Sequence, residues 1–218
     1  SISAEQIITA AFEILQVSGT VDALSIRKIA NQLDIGAATF YWHFENKQAL
    51  LQAMADNIIQ QIEIEPCNTT LEWTDQIRQI FSAIYTTYIA QPYVAELMMR
   101  TVPATKARLG LINHLIQILL DAGFTPEQAS LAIESIDHFM SGLFTDITGE
   151  LEMKHRVSQH KDTYLTQLPL KMQQIATDNH YNAFLKTFEH HRHQQQRSLE
   201  KFMLGLDIFL AGLQQQLA

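Results

Sequence analysis

The sequence predicts an all-α protein that has a small N-terminal helix-turn-helix domain and a larger helical C-terminal domain. Five prolines and eight glycines in 218 residues are few, which favours long helices over a fold rich in turns. Apolar residues recur at spacings of three and four along much of the chain. The stretch from Leu24 to Lys47 also contains two short helical patterns joined by a glycine-bearing turn, as in a helix-turn-helix.

The first helix is predicted to begin at Ser3. Ser3 and Gln6 form the S-x-x-Q pattern of a capping box, in which each side chain accepts a hydrogen bond from the other residue's backbone. An apolar stripe follows at helical spacing, and Gly19 ends it. We expect this helix to brace the two helices of the helix-turn-helix.

The helix-turn-helix is predicted from a cap, a turn and a second short helix. Ser25 is the expected N-cap of the first of its helices. The turn contains Gly36, which can take a backbone conformation closed to most residues. The second helix should run from about Ala37 to His43, and Asn46 should cap a longer helix that ends near Glu65. The expected core residues of this region are Leu33, Phe40 and Phe44.

The helix from Ala37 to His43 has a composition that suits contact with DNA. Its first residues are small and permit close approach to base edges, whereas its last residues carry rings with polar tips. Phosphate contacts position such a helix, and base-edge contacts specify the sequence. The alternative is that Tyr41 and Trp42 fill a small core. The predicted DNA-binding residues are Arg27, Ala37, Ala38, Thr39, Tyr41, Trp42, His43 and Lys47.

Long amphipathic helices are predicted after a linker at Glu65 to Thr69. The first begins near Trp73 and is interrupted at Pro92. It is followed by a short helical stretch from Val94 to Arg100 and by a long one from about Ala104 to Ala122.

A further helix is predicted to begin at the segment Thr125 to Gln128. This segment supplies an N-cap, a proline at the first helical position and a capping glutamine. Gly149 to Asn179 is expected to be polar and irregular, with one short helix from Leu168 to Ala176. The stretch His190 to His193 is expected to be a solvated helix or a mobile insertion.

The last helix, beginning near Leu199, is predicted to form a dimer interface. Gly205 and Gly212 are seven residues apart and would allow a second helix to approach closely. The surrounding face is too apolar for the surface of a monomer. We expect it to pair with Ser130 to Leu143, and both helices to meet their copies in a four-helix interface.

Three linked motifs in the first 51 residues resemble the DNA-binding domain of the TetR/AcrR family of transcriptional regulators. They are R-K-x-A-x-x-L from Arg27, T-x-Y-W-H from Thr39 and N-K-x-x-L-L from Asn46. The tetracycline-repressor branch is the most similar. Gly123 to Leu143 and Lys201 to Leu217 are likewise similar to its two dimerising helices.

The resemblance implies a homodimeric repressor that binds a palindromic DNA operator and is released by a small-molecule effector. It implies a DNA-binding domain at 1–46, a connecting helix at 47–65 and a ligand-binding and dimerisation domain at 66–218. No cofactor, metal or enzymatic activity is expected. Whether the chain represses or activates transcription is left open by its residues.

The resemblance also places an effector site among the long helices. Where tetracycline-binding relatives have a histidine that helps hold the drug-bound metal, this chain has Met98. A thioether is a poor ligand for magnesium, which prefers oxygen, so we expect a mostly apolar or aromatic effector instead. The alternative is that the apolar residues form ordinary core. The corresponding positions are Ile62, Ile80, Ile84, Met98, Thr101, His114 and Asp146, with His138 nearby.

Charge and composition restrict the function further. The formal net charge of −8 argues against strong non-specific DNA affinity, which depends on phosphate neutralisation. Cys67 is the single cysteine, which excludes an internal disulfide and fits a reducing cytoplasm. No apolar run reaches the length of a membrane span and no signal peptide is visible.

Two alternative functions follow from other features. Nine histidines, together with Glu134 and His138, suggest a metal-binding helical bundle or an enzyme. However, no Glu-x-x-His pair recurs on two helices, as di-metal bundles require. The acidic balance instead supports a helical adaptor that keeps the N-terminal domain without binding DNA.

Overall fold

The computed structural model describes residues 2–64, 70–160, 163–193 and 199–216, and the secondary structure in these ranges is helical. A short 3-10 turn, Val21–Ala23, follows the first helix. The α-helices are α1 (Ala4–Ser18), α2 (Ile26–Gln32), α3 (Ala37–Tyr41), α4 (Lys47–Gln60), α5 (Trp73–Ile89), α6 (Pro92–Met99), α7 (Lys106–Asp121), α8 (Pro126–His160), α9 (Thr163–Asp178), α10 (Asn182–His193) and α11 (Leu199–Gln214).

The predicted helix caps are confirmed. In α1 the Gln6 N–H donates to Ser3 Oγ at 3.2 Å, and the Ser3 N–H donates to Gln6 Oε1 at 2.9 Å. Gly19 ends this helix with φ 71°, in the left-handed region. Ser25 and Asn46 cap α2 and α4 by accepting backbone N–H groups through their side chains.

The predicted turn of the helix-turn-helix does not use the conformational freedom of Gly36. Gly36 has φ −72° and ψ 151°, an ordinary extended conformation. The left-handed residue is Asp34, with φ 52°, because the chain reverses direction two residues before the glycine. Aspartate is among the few non-glycine residues that tolerate this region.

The helices on either side of Glu45 are shorter than predicted. α3 ends at Tyr41 rather than His43, and α4 ends at Gln60 rather than near Glu65. The predicted linker, Glu65 to Thr69, lies outside the described residues.

The N-terminal helices enclose an apolar core around Phe40. Phe40 is fully buried, and its ring lies 5.8 Å from the ring of Phe44, which is also buried. Leu33, by contrast, is only half-buried. It borders an open surface groove beside α1, so the expectation that it is core holds only in part. The other fully buried side chains here include Ile7, Leu15, Val21, Ile29, Leu50 and Met54.

Residues 1–141 and 203–218 form one compact unit. In its body, α5 packs against α6 and α7, and α7 also packs against α4. Gly205 of α11 touches α8, because a Cβ at this position would lie 2.5 Å from Phe139 Cζ. The predicted close pairing of these two helices is thus confirmed at Gly205. Gly212 has no neighbouring atom within 4 Å of such a Cβ.

Residues 142–202 form the second unit, and here the prediction of an irregular segment is wrong. α8 continues to His160, and α9 and α10 follow as regular helices. One glycine in a helix costs only about 1 kcal/mol, so Gly149 does not stop a helix whose following residues are good helix formers. α9 also continues through Pro169. The side chains of Glu189 to His193 lie outside the described residues.

None of the helices in the described ranges has the length and apolar character needed to cross a membrane.

Candidate nucleic-acid interface and effector site

The outer face of α3 presents the predicted DNA-binding residues. Ala37 and Ala38 are exposed and Thr39 is half-buried. Tyr41 is 55% exposed and Trp42 is 87% exposed. An indole ring with so much free surface contributes almost nothing to the core, so the core-filling alternative is wrong for Trp42.

Phe40 and Phe44 explain why these rings point outward. The two phenylalanines are four residues apart and lie on the buried face. The Tyr41 ring then packs edge-on against Phe40, with ring centroids 5.6 Å apart. The buried pair therefore fixes the orientation of the exposed rings.

The flanking polar residues lie at the edges of this face. Arg27 and His43 are exposed, and His43 Nε2 lies 2.9 Å from the carbonyl oxygen of Ile2. Lys47 is half-buried and donates to the Val21 carbonyl at 3.3 Å, so its ammonium group also supports the 3-10 turn. Lys28, which the sequence analysis left out, is exposed next to Arg27 and donates to the Ala23 carbonyl at 2.8 Å.

An ion-pair cluster joins the 3-10 turn to the end of α6. Arg100 Nη1 lies 2.7 Å from Asp22 Oδ1, and Arg100 Nη2 lies 2.7 Å from Glu96 Oε1. The Val21 N–H donates to Glu96 Oε2 at 2.9 Å. The hydrogen bond from Arg100 lowers the pKa of the Asp22 carboxyl.

A second set of hydrogen bonds joins α4 to the segment between α6 and α7. Gln52 makes a reciprocal pair with Val102, in which Gln52 Nε2 donates at 2.8 Å and the Val102 N–H donates back to Gln52 Oε1 at 2.9 Å. Gln48 Nε2 donates to the Arg100 carbonyl at 2.9 Å. One turn before the end of α4, Asp56 Oδ1 accepts the Ala107 N–H at 3.1 Å. The N-terminal helices are therefore bonded to the body along the length of α4.

The effector residues implied by the resemblance do not all share one environment. Ile62, on the segment after α4, is buried, as are Ile80 and Ile84 of α5. Thr101, just after α6, is buried and donates to the Leu97 carbonyl at 2.9 Å. Met98 of α6 is also buried, His114 of α7 is half-buried, and His138 and Asp146 of α8 are exposed. Asp146 belongs to the second unit, whereas the others belong to the first.

Three polar residues near this site were missed by the sequence analysis. Arg108 of α7 is half-buried, and its Nη1 donates to Thr101 Oγ1 at 2.7 Å and to the Val102 carbonyl at 2.9 Å. Tyr88 of α5 and Asp137 of α8 lie within electrostatic range of Arg108. Burial raises the pKa of the Tyr88 phenol. The available sequence signal was an arginine in the first turn of a helix, where the helix dipole disfavours a cation.

The histidines do not define a metal centre in the described part of the chain. No three His, Cys, Asp or Glu side chains there lie close enough together to hold a metal ion.

Comparisons with known proteins match both halves of the chain. The family model for bacterial regulatory proteins of the tetR family matches residues 7–54. The family model for the tetracyclin repressor-like C-terminal domain matches residues 65–217.

Individual relatives agree with these matches. The tetracycline repressor protein class G of Vibrio anguillarum is 28% identical over 137 residues, or 62% of this chain and 64% of that protein. The alignment therefore spans less than two thirds of the relative. The class E tetracycline repressor of Escherichia coli is 27% identical over 157 residues, covering 71% and 74% of the two chains.

The fold is also similar to that of a solved structure. The Streptomyces coelicolor TetR family protein ActR, in complex with actinorhodin, superposes with a TM-score of 0.76 at 22% identity and covers 99% of this chain and 98% of its own. At this identity the likeness establishes the fold alone. Because family models cover nearly the whole length, this chain belongs to the tetR family of bacterial regulatory proteins and is a two-domain, all-α transcriptional regulator.

Proposed function

We propose that this regulator is a homodimeric repressor that binds a palindromic DNA operator through α3 and is released by a small, mostly apolar effector. The observation that carries the proposal is the exposure of Tyr41, the last residue of α3, and of Trp42, which follows it, next to the buried Phe40. The exposure of large aromatic rings to water is unfavourable on a surface that binds nothing. Such rings suit contacts to sugar and phosphate. In the cytoplasm such a surface would meet operator DNA.

The charge distribution indicates how the operator would be bound. The chain is acidic overall, with a net charge of −8, and few cations flank α3. Phosphate neutralisation therefore contributes little, and we expect weak non-specific binding with a shallow dependence on salt. Contacts from the small residues and rings of α3 to base edges would supply most of the specificity.

Dimerisation would place two copies of α3 on successive major grooves. Leu204, Ile208 and Ala211 are spaced i, i+4 and i+7 on α11 and are all exposed. On α8, Leu131 is exposed as well. An apolar stripe of this kind is typically buried against a second subunit. Half-sites in such complexes are about 34–36 Å apart, so dimer geometry determines whether both copies can dock.

The effector would act through the bonds between α4 and the α6–α7 segment. A ligand among Ile80, Ile84 and Met98 would displace the end of α6. Val102 is bonded to Gln52 of α4, so this displacement would move α4 and change the separation of the two α3 helices. A ligand can shift this equilibrium only if it binds one arrangement better than the other. Met98 favours an effector other than a metal-bound tetracycline, because its thioether is a poor magnesium ligand.

Capture of DNA from the source genome tests the proposal. Sheared genomic fragments are incubated with the full-length chain, recovered and sequenced, with Trp42→Ala as the matched control. We expect enrichment of a fragment that contains an inverted repeat, and loss of this enrichment in the variant. Equal recovery of all fragments, or none, would favour an adaptor that has kept the fold without binding DNA.

A further inference from the structure

We propose that Arg108 is an anion-binding residue of the effector site, and that the effector is an amphipathic molecule with a carboxylate as its polar end. This inference rests on the proposed function, because it presumes that a small molecule enters the body. The site consists of the Arg108 guanidinium at the start of α7, with Thr101 and Tyr88 beside it.

The Arg108 guanidinium uses only one of its nitrogen atoms in hydrogen bonds within the described residues. Both hydrogen bonds of Arg108 use Nη1, which donates to Thr101 Oγ1 and to the Val102 carbonyl. Within the ranges that the structure describes, Nε and Nη2 donate to no acceptor. These two atoms form the planar edge that binds a carboxylate through two parallel hydrogen bonds. The two hydrogen bonds of Nη1 hold the guanidinium plane in place and leave the edge formed by Nε and Nη2 available.

Arg108 differs from Arg78 and Arg100, two other arginines of the same unit. Arg78 pairs with Asp207 at 2.6 Å and with Asp75 at 2.7 Å, and Arg100 likewise holds two carboxylates. Among the residues described, no carboxylate oxygen comes within 4.0 Å of Arg108. Its positive charge is therefore compensated only at longer range, by Asp56 and Asp137.

Burial makes this uncompensated charge more consequential. Desolvation lowers the pKa of the Arg108 guanidinium, whereas hydrogen bonds to carboxylates raise the pKa of Arg78 and Arg100. The N-terminus of α7 is already occupied, because the Asp56 carboxylate accepts the backbone N–H groups of Ala107 and Arg108. An incoming anion would therefore gain from the Arg108 guanidinium rather than from the helix dipole.

The position of Arg108 links ligand recognition to the proposed signal. Its Nη1 bonds the Val102 carbonyl, and the Val102 N–H bonds Gln52 of α4. Thr101, its other partner, directly follows the α6 residues proposed to meet the effector. A carboxylate that draws the guanidinium toward itself would compete with the Val102 contact and so act on α4.

Matched pairs of ligands that differ only in charge test the inference. Phenylacetate, naphthalene-1-acetate and octanoate are titrated by calorimetry at neutral pH into the full-length protein, each alongside its neutral primary amide. The ratio of the amide and carboxylate dissociation constants is measured for the native chain, for Arg108→Gln and for Arg108→Lys. Arg78→Gln is the control, because Arg78 already has two carboxylate partners. Circular dichroism establishes that each variant is folded.

We expect at least one carboxylate to bind about tenfold more tightly than its amide, as charge-assisted bidentate hydrogen bonds require. Arg108→Gln should reduce this ratio to about one, and Arg78→Gln should leave it unchanged. If Arg108→Gln does not fold, Arg108→Lys should still lower the ratio, since an ammonium group cannot form the planar pair.

Three results would overturn the inference: amides that bind as well as the carboxylates, no carboxylate that binds, or a preference that survives both substitutions at Arg108. In the first case an amide that still releases captured operator DNA would leave the proposed repressor function intact. Failure of DNA capture, in contrast, would concern the proposed function and not Arg108.

Discussion

Neighbouring residues at the end of α3 divide sharply between the buried core and the exposed surface. Phe40 and Tyr41 are adjacent in the sequence, yet Phe40 is fully buried and Tyr41 is 55% exposed. Phe44 is likewise buried, whereas Trp42 is 87% exposed. Substitutions at these neighbouring positions should therefore have opposite effects on stability and on DNA binding.

Tyr41→Ala is expected to weaken operator binding while leaving stability within about 0.5 kcal/mol of the native chain, as is usual for exposed side chains. Phe40→Ala is the matched comparison and should cost about 3–5 kcal/mol of unfolding free energy, because it empties a buried site. Urea unfolding and fluorescence anisotropy with the captured operator measure the two effects. A Tyr41→Ala variant with native affinity would contradict the assignment of α3 to recognition.

Gly36 and Gly19 should respond differently to substitution by alanine. Gly36 has an ordinary backbone conformation and open space around it, whereas Gly19 has φ +71°. Gly36→Ala should change the stability by less than about 1 kcal/mol, because the entropy lost by the unfolded chain is opposed by a poorer N-cap for α3. Gly19→Ala should destabilise by about 1 kcal/mol. If Gly36→Ala also loses operator affinity, the glycine serves close approach to DNA. A large loss of stability at Gly36 would show that its surroundings are misassigned.

At the scale of helices, α4 is the element that connects the N-terminal helices to the body. Its side chains bond the α6–α7 segment at Gln48, Gln52 and Asp56. The Asp22–Arg100 ion pair adds a contact from the 3-10 turn. Because Arg100 lowers the pKa of Asp22 below its ordinary 3.8, this contact is present at neutral pH and is lost as pH falls through the lowered value.

Gln52→Ala should uncouple these elements. It removes both hydrogen bonds to Val102, so we expect a stability loss of about 1 kcal/mol and a higher effector concentration for half-release of operator DNA. Gln117→Ala is the control, because Gln117 bonds Asp121 within α7 and touches no other helix through that contact. Titration of effector into the operator complex provides the measurement. Equal effector responses in the two variants would argue against transmission through Val102.

The starts of the helices were easier to predict from the sequence than their lengths. Caps were predictable, because Ser3, Ser25 and Asn46 act on backbone groups a few residues away. The length of α8 was not, because a polar helix without strong breakers has the same local composition as an irregular segment. The hydrogen bonds of Arg108 were not predictable either, since they depend on Thr101 and Val102, which meet it only after α6 and α7 are packed.

In the molecule as a whole, the proposed function requires two copies of α3 held at a fixed separation. The stripe Leu204, Ile208 and Ala211 is the surface that would hold them, and Ile208 is 75% exposed in the single chain. On the opposite side of α11, Phe202, Leu206 and Leu210 are buried within the chain. One face of α11 is thus used within the chain, and the exposed stripe is the face that the proposed partner would cover.

Ile208→Glu should convert the dimer to a monomer at micromolar concentrations, because it buries an unpaired charge next to its own copy at the interface. Val17→Glu is the control, since Val17 is 92% exposed at the end of α1 and lies away from this stripe. Analytical ultracentrifugation should find the first variant monomeric and the second dimeric, with similar circular dichroism. The monomer should also lose most operator affinity, because a single α3 contacts one half-site. A dimeric Ile208→Glu variant with native operator affinity would place the subunit interface elsewhere on the molecule.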